Sequence, residues 1–128
     1  MWGQITNIMI TKETIKEFFE NVKRGGEFDT TNKLLCGYFF LDKDISKLKN
    51  IVNELSKEGY RYVDIFEAEK LNLDDVQEYY LHVSKIEYHD IDSLDILNRE
   101  LYNFANKFNT SYDGFDVGNV ITSQNIVR

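Results

Sequence analysis

The chain has 128 residues, 42% hydrophobic and 29% charged, which suits one compact domain with a buried core and leaves no room for a second. Its net charge of −7 and isoelectric point near 4.8 argue against holding nucleic acid through phosphates, because that task needs Lys and Arg gathered on one face. No apolar run approaches the roughly 20 residues that cross a bilayer, and the start Met1-Trp2-Gly3-Gln4 lacks the basic and apolar regions of a secretion signal, so a cytoplasmic protein is expected.

Ile15, Phe18, Phe19 and Val22 follow the three-four spacing of one helical face, with Thr11 as N-cap and Gly25-Gly26 as a stop, so residues 11–24 are predicted helical. A polar stretch from Glu27 leads into the near-continuous apolar run Leu34 to Leu41, a central strand. Its single Cys36 cannot form an internal disulfide and is expected to be a buried, inert thiol. Ile45, Leu48, Ile51, Val52 and Leu55 mark a helix within Asp42 to Glu58, capped by Asp42 or Asp44 and ended by Gly59.

Tyr60 to Glu69 and Val76 to Tyr88 are rich in aromatic and β-branched residues and read as antiparallel strands joined by a turn at Asn72 to Asp75. In the second, Tyr79, Leu81 and Val83 alternate with Tyr80, His82 and Ser84, which sends one set to the helices and the other toward solvent. Leu94, Leu97, Leu101, Phe104, Ala105 and Phe108 give the longest helical stripe, entered through Asp92 or Ser93 and left at Asn109. Tyr112-Asp113-Gly114-Phe115 has the residues of a turn, and a last strand is expected from Phe115 to Thr122.

This order predicts an α+β, ferredoxin-like split βαβ fold over about 33–122: a four-stranded antiparallel sheet with two helices on one face, plus an extra N-terminal helix. The second face is expected to be free or partly covered by that extra helix, and a free sheet face is a natural docking surface.

Catalytic chemistry finds little support. The only Cys sits in a core-like strand, away in sequence from His82 and His89. His89 with Asp90 and Asp92 offers a nitrogen and two carboxylates to a metal, but without a second His or Cys at ligand spacing it reads as a capping turn. Asp74, Asp75 and Glu78 lack the pattern of a calcium loop and suit a polar hairpin tip. No metal, cofactor or catalytic residue is assigned.

The block Tyr112-Asp113-Gly114-Phe115, with the elements before it from about Thr11 to Gly118, resembles the regulator of ribonuclease activity B family. Its members are small, acidic, ferredoxin-like inhibitors of an RNA-degrading endonuclease, and the block resembles their closing Tyr-Asp-Gly-Trp signature. The helix followed by Gly59-Tyr60 matches as well. The chain departs from the family in having Phe115 in place of Trp and a first helix of mixed rather than strongly acidic charge. The resemblance implies a non-catalytic regulator of RNA turnover that acts by protein contact, with no cofactor.

Charge patterning agrees with a protein partner. Between residues 64 and 100 stand Asp64, Glu67, Glu69, Asp74, Asp75, Glu78, Glu87, Asp90, Asp92, Asp95 and Glu100 against Lys70, Lys85 and Arg99, a net −8. Tyr60, Tyr62, Tyr79, Tyr80 and Tyr88 invite comparison with RNA-binding sheets, where aromatics stack bases, but the neighbouring carboxylates oppose phosphate. Tyrosine among acids suits an interface that accepts Arg and Lys. The candidate contact residues are therefore the first ten of these acids together with Tyr80, and the expected partner is a basic protein, a ribonuclease. An immunity protein that neutralises a toxin nuclease in bacterial competition fits the same physics, and a small-molecule sensor on this fold is the reading from another class.

Overall fold

The structure, a computed structural model, describes residues 9–26 and 29–120. Its elements run α1 (Lys12–Gly25), β1 (Leu34–Asp42), α2 (Ile45–Ser56), β2 (Arg61–Glu67), β3 (Tyr79–Glu87), α3 (Ile91–Lys107) and β4 (Ser111–Gly118). All strand pairs are antiparallel in the order β2-β3-β1-β4, the ferredoxin-like arrangement expected.

Strand β1 shows why the sheet has two different faces. Leu34, Cys36, Tyr38 and Phe40 are buried toward the helices, while Leu35, Phe39 and Leu41 between them point the other way and are only half-buried. Across the ladder Tyr38 stands opposite Val83 and Phe40 opposite Leu81, so β3 delivers its own buried pair to the same side. Leu48, Ile51 and Leu55 of α2 and Leu94, Leu101 and Ala105 of α3 close this core. Aromatic rings interlock within it, Phe40 lying 5.3 Å from Tyr112 and 6.1 Å from Phe104.

Helix α1 packs beside α3 on the same face. Ile15 and Phe19 join the core, and Phe18 meets Phe115 edge-on at 5.4 Å. Among the described residues no helix covers the second face of the sheet.

Several boundaries differ from the sequence reading. Asp44, not Asp42, caps α2, accepting from the amides of Ser46 and Lys47. Asp42 instead receives the Asp44 amide at 2.9 Å and Lys47 at 3.2 Å, a brace that fixes the strand-to-helix corner. Asp90, not Asp92 or Ser93, caps α3, in a reciprocal capping box with Ser93. Strand β3 begins at Tyr79 rather than Val76, because residues 68–78 form a long loop in place of a tight turn.

The Tyr112 block is not a turn but part of β4. Phe39 pairs with Gly114 and Phe40 with Tyr112, which leaves Asp113 as the extra residue of a β-bulge. Gly114 has φ +136, which no side chain adopts without strain, and this explains the Asp-Gly pair as well as a turn would. Strand β4 therefore starts four residues earlier than expected, and the end expected at Thr122 lies outside the described residues.

Candidate partner-binding surface

The bulge brings the signature block to α3. Tyr112 sends its hydroxyl into the core, where it donates to Asn98 Oδ1 at 2.6 Å, and Asn98 Nδ2 donates to the Leu94 carbonyl at 2.8 Å. Both polar groups of a wholly buried Asn are thus satisfied, and burial pushes the Tyr112 hydroxyl pKa upward. The block is a structural clamp between β4 and α3.

On the uncovered face the side chains of alternate residues form an aromatic strip. Phe39 stacks on His82 at 4.4 Å and meets Tyr80 edge-on at 6.4 Å, and Tyr80 lies 5.5 Å from Phe66. Gly37 lies beneath this strip. A methyl group there would come within 2.7 Å of His82 Nε2 and closer still to Asp116 Oδ1, so the missing side chain is what lets those two groups lie across the strand. Partial desolvation pushes the Asp113 carboxyl above its ordinary pKa, an effect that its hydrogen bond with Tyr80 offsets in part.

The strip runs into the 68–78 loop through an open cleft of about 750 Å³ lined by Phe66, Glu67, Glu69 and Tyr80. The loop is anchored at its base by the Ala68 amide on the Glu78 carbonyl, 2.9 Å, and by Gln77 Nε2 on the Ala68 carbonyl, 2.9 Å. Beyond that clasp it holds Leu71 and Leu73 in solvent, 95% and 93% exposed, with Val76 also exposed. Glu69, Asp74, Asp75 and Glu78 surround them, exposed, with Asp75 accepting the Asn72 amide at 2.9 Å. Apolar residues raised from a polar loop are the composition of an interface centre with a charged rim.

The eleven candidate residues divide accordingly. Asp64, Glu67, Glu69, Asp74, Asp75, Glu78 and Tyr80 share the loop and the adjoining end of the open face. The others stand at the far end of β3, which at nine residues spans roughly 30 Å. There Glu87 accepts from the Tyr38 hydroxyl at 2.9 Å and bonds His89 Nε2 at 3.0 Å; burial would raise its pKa, but these hydrogen bonds prevail and hold it low. Asp90 is a helix cap, and Asp92 pairs with Lys12 of α1 at 2.6 Å. Asp95 is 4% exposed and bound to Arg99 at 2.5 Å, so it is no part of any surface. The sequence reading does not single out Leu71, Leu73 and Val76: it puts Leu73 in the turn Asn72 to Asp75, begins a strand at Val76 and leaves Leu71 in the connection, and the signal available is their apolar character among so many acids.

Among the tyrosines, Tyr60 is buried against Tyr38 at 5.7 Å, whereas Tyr62 and Tyr88 are exposed. Cys36 is buried as expected, and burial pushes its thiol up to about 11. No helix among the described residues is long and apolar enough to cross a membrane.

Fold and surface together define a ferredoxin-like α+β protein with one sheet face left uncovered by the described residues and an acidic, apolar-tipped loop at its edge. The family model described as regulator of ribonuclease activity B matches residues 12–117, and the chain belongs to that family. No curated protein matches the chain.

Proposed function

We propose that this protein is a non-catalytic inhibitor that binds a basic ribonuclease and masks its RNA-binding cleft. The 68–78 loop carries the reading: Leu71, Leu73 and Val76 supply apolar area to bury, and five acids between Glu67 and Glu78 against the one Lys70 supply a field that a basic nuclease surface complements. The open face adds Phe66 and Tyr80 through the adjoining cleft. Family membership supports a ribonuclease as the target. A cleft built to hold RNA must be basic, so an acidic surface competes for the same potential and speeds association at low salt.

Capture with the tagged protein from its native cells, at low and moderate salt, should recover a ribonuclease whose RNA cleavage slows when the protein is added back. Leu71→Ser/Leu73→Ser should abolish recovery while shifting stability by no more than about 0.5 kcal/mol, since both side chains are exposed. Charge reversal at Asp74, Asp75 and Glu78 should slow association and flatten its salt dependence. Undiminished binding by both variants would remove the loop from the interface and the reading with it. The mixed charge of α1, with Lys12, Lys16, Lys23 and Arg24 against Glu13, Glu17 and Glu20, supports a second reading in which the target is a toxin nuclease and the protein its immunity partner. A single captured toxin domain, in place of a housekeeping ribonuclease, would select it.

A further inference from the structure

The folded chain brings together three residues that are far apart in sequence. Cys36 Sγ of β1, a carboxylate oxygen of Glu87 at the end of β3, and a ring nitrogen of His89 in the turn before α3 lie within 4.8 Å of one another. The Tyr38 hydroxyl borders them, 2.9 Å from Glu87 Oε2 and 3.5 Å from His89 Nε2. The imidazole is held from behind, its Nδ1 on Ser93 Oγ at 2.9 Å, which aims Nε2 at Glu87. Orientation of a ligating imidazole by a hydrogen bond on its other nitrogen is the usual support of a metal site. Cys36 makes long contacts, 3.7 Å to the Leu34 carbonyl and 3.9 Å to that of Glu87, and has the Tyr38 hydroxyl as a neighbour that favours its thiolate.

We propose that Cys36, Glu87 and His89 form a zinc site, with the fourth position taken by water or the Tyr38 oxygen. The donor set is the argument for the metal. One sulfur, one imidazole nitrogen and one carboxylate suit a borderline-soft, tetrahedral ion, whereas magnesium and calcium require oxygen shells. Bond lengths of about 2.3 Å to sulfur and 2.0–2.2 Å to nitrogen and oxygen bring tetrahedral donors to roughly 3.5 Å apart. From separations of up to 4.8 Å the cluster reaches that by closing at most about 1.3 Å, while the His89–Glu87 pair, now 3.0 Å apart, opens by about 0.5 Å as the ion replaces its hydrogen bond. Glu87 and His89 keep some access to water, at 22% and 12% exposed, which provides an entry path. The ion would tie β1 to the β3–α3 turn, at the end of the sheet away from the 68–78 loop, and the proposal is independent of the ribonuclease reading.

The test uses the untagged full chain after chelator treatment. Zinc titrated by calorimetry should bind one equivalent and raise the thermal midpoint, while magnesium and calcium should do neither. Cobalt(II) should give tetrahedral visible bands and a sulfur-to-cobalt charge-transfer band in the near ultraviolet. Cys36→Ser should remove the charge-transfer band, and His89→Gln, at a partly exposed position less exposed to folding artefacts, should weaken zinc by more than the roughly 100-fold typical of losing an outer-shell partner. His82→Ala, on the opposite sheet face, should bind as wild type. Absence of a midpoint shift and of any charge-transfer band in the wild-type protein would overturn the proposal, as would zinc binding that survives His89→Gln and disappears with His82→Ala.

Discussion

Replacing Tyr112 by Phe removes one oxygen from the core and tests whether the signature block acts as a clamp. In the native protein that hydroxyl is the donor on Asn98 Oδ1, at 2.6 Å, and Asn98 is 1% exposed. Without it a buried acceptor loses its partner in a place water does not reach, at a cost of about 1–3 kcal/mol. A chain of this length unfolds with an entropy near 270 cal/mol/K, so the midpoint should fall by about 4–11 °C. Thermal and urea unfolding followed by circular dichroism measure this, with an unchanged urea slope indicating that the folded state is intact. Asn98→Leu alone should also destabilise, because it strands the Tyr112 hydroxyl. The double variant, which removes both polar groups, should be less destabilised than the two single changes added together. A Tyr112→Phe protein within 0.5 kcal/mol of wild type, or strict additivity in the double variant, would refute the clamp.

Gly114→Ala should cost about 1–3 kcal/mol from backbone strain alone, because φ is +136 while the nearest atom to an added Cβ, Ile10 Cδ1, is an ordinary 3.6 Å away; full stability in calorimetry would mean that the bulge relaxes. Asp42 is buried, which by itself would raise its carboxyl, yet hydrogen bonds from Thr110 and the Asp44 amide, together with Lys47, hold it below the ordinary 3.8. A depressed carboxyl stabilises the fold above its unfolded pKa and loses that contribution as pH falls through the folded value. Asp42→Asn should therefore be less stable than wild type at neutral pH, with the gap closing below about pH 4; a gap that widens with acid, seen in urea midpoints across pH, would contradict this.

Much of the fold could be read from periodicity. The Leu34–Leu41 run, the Leu94-to-Phe108 stripe and the Leu81/Val83 alternation each survive into the structure because a buried face imposes its period directly on the sequence. The bulge was hidden, since Asp-Gly satisfies a positive φ equally well in a turn and in a kinked strand, and only pairing with Phe39 and Phe40 decides between them. Charge misled in a different way. A net −8 over residues 64–100 adds along the chain, but β3 carries its two ends roughly 30 Å apart, so the sum splits into a loop patch and a set of caps and pairs around α3. Asp95 shows the limit of counting acids, because it lies next to Leu94 within the buried stripe and has Arg99 one turn on.

In β1 the residues that build the core and those that face outward alternate one by one, so neighbours in the sequence answer to different demands. Leu35 and Phe39 stand on the side of the sheet away from Tyr38 and Phe40. Side chains of that face, Gly37 apart, and of the 68–78 loop can therefore change while the interior stays as it is. Variants of one stable scaffold can in this way differ widely over that face and loop while keeping the same fold.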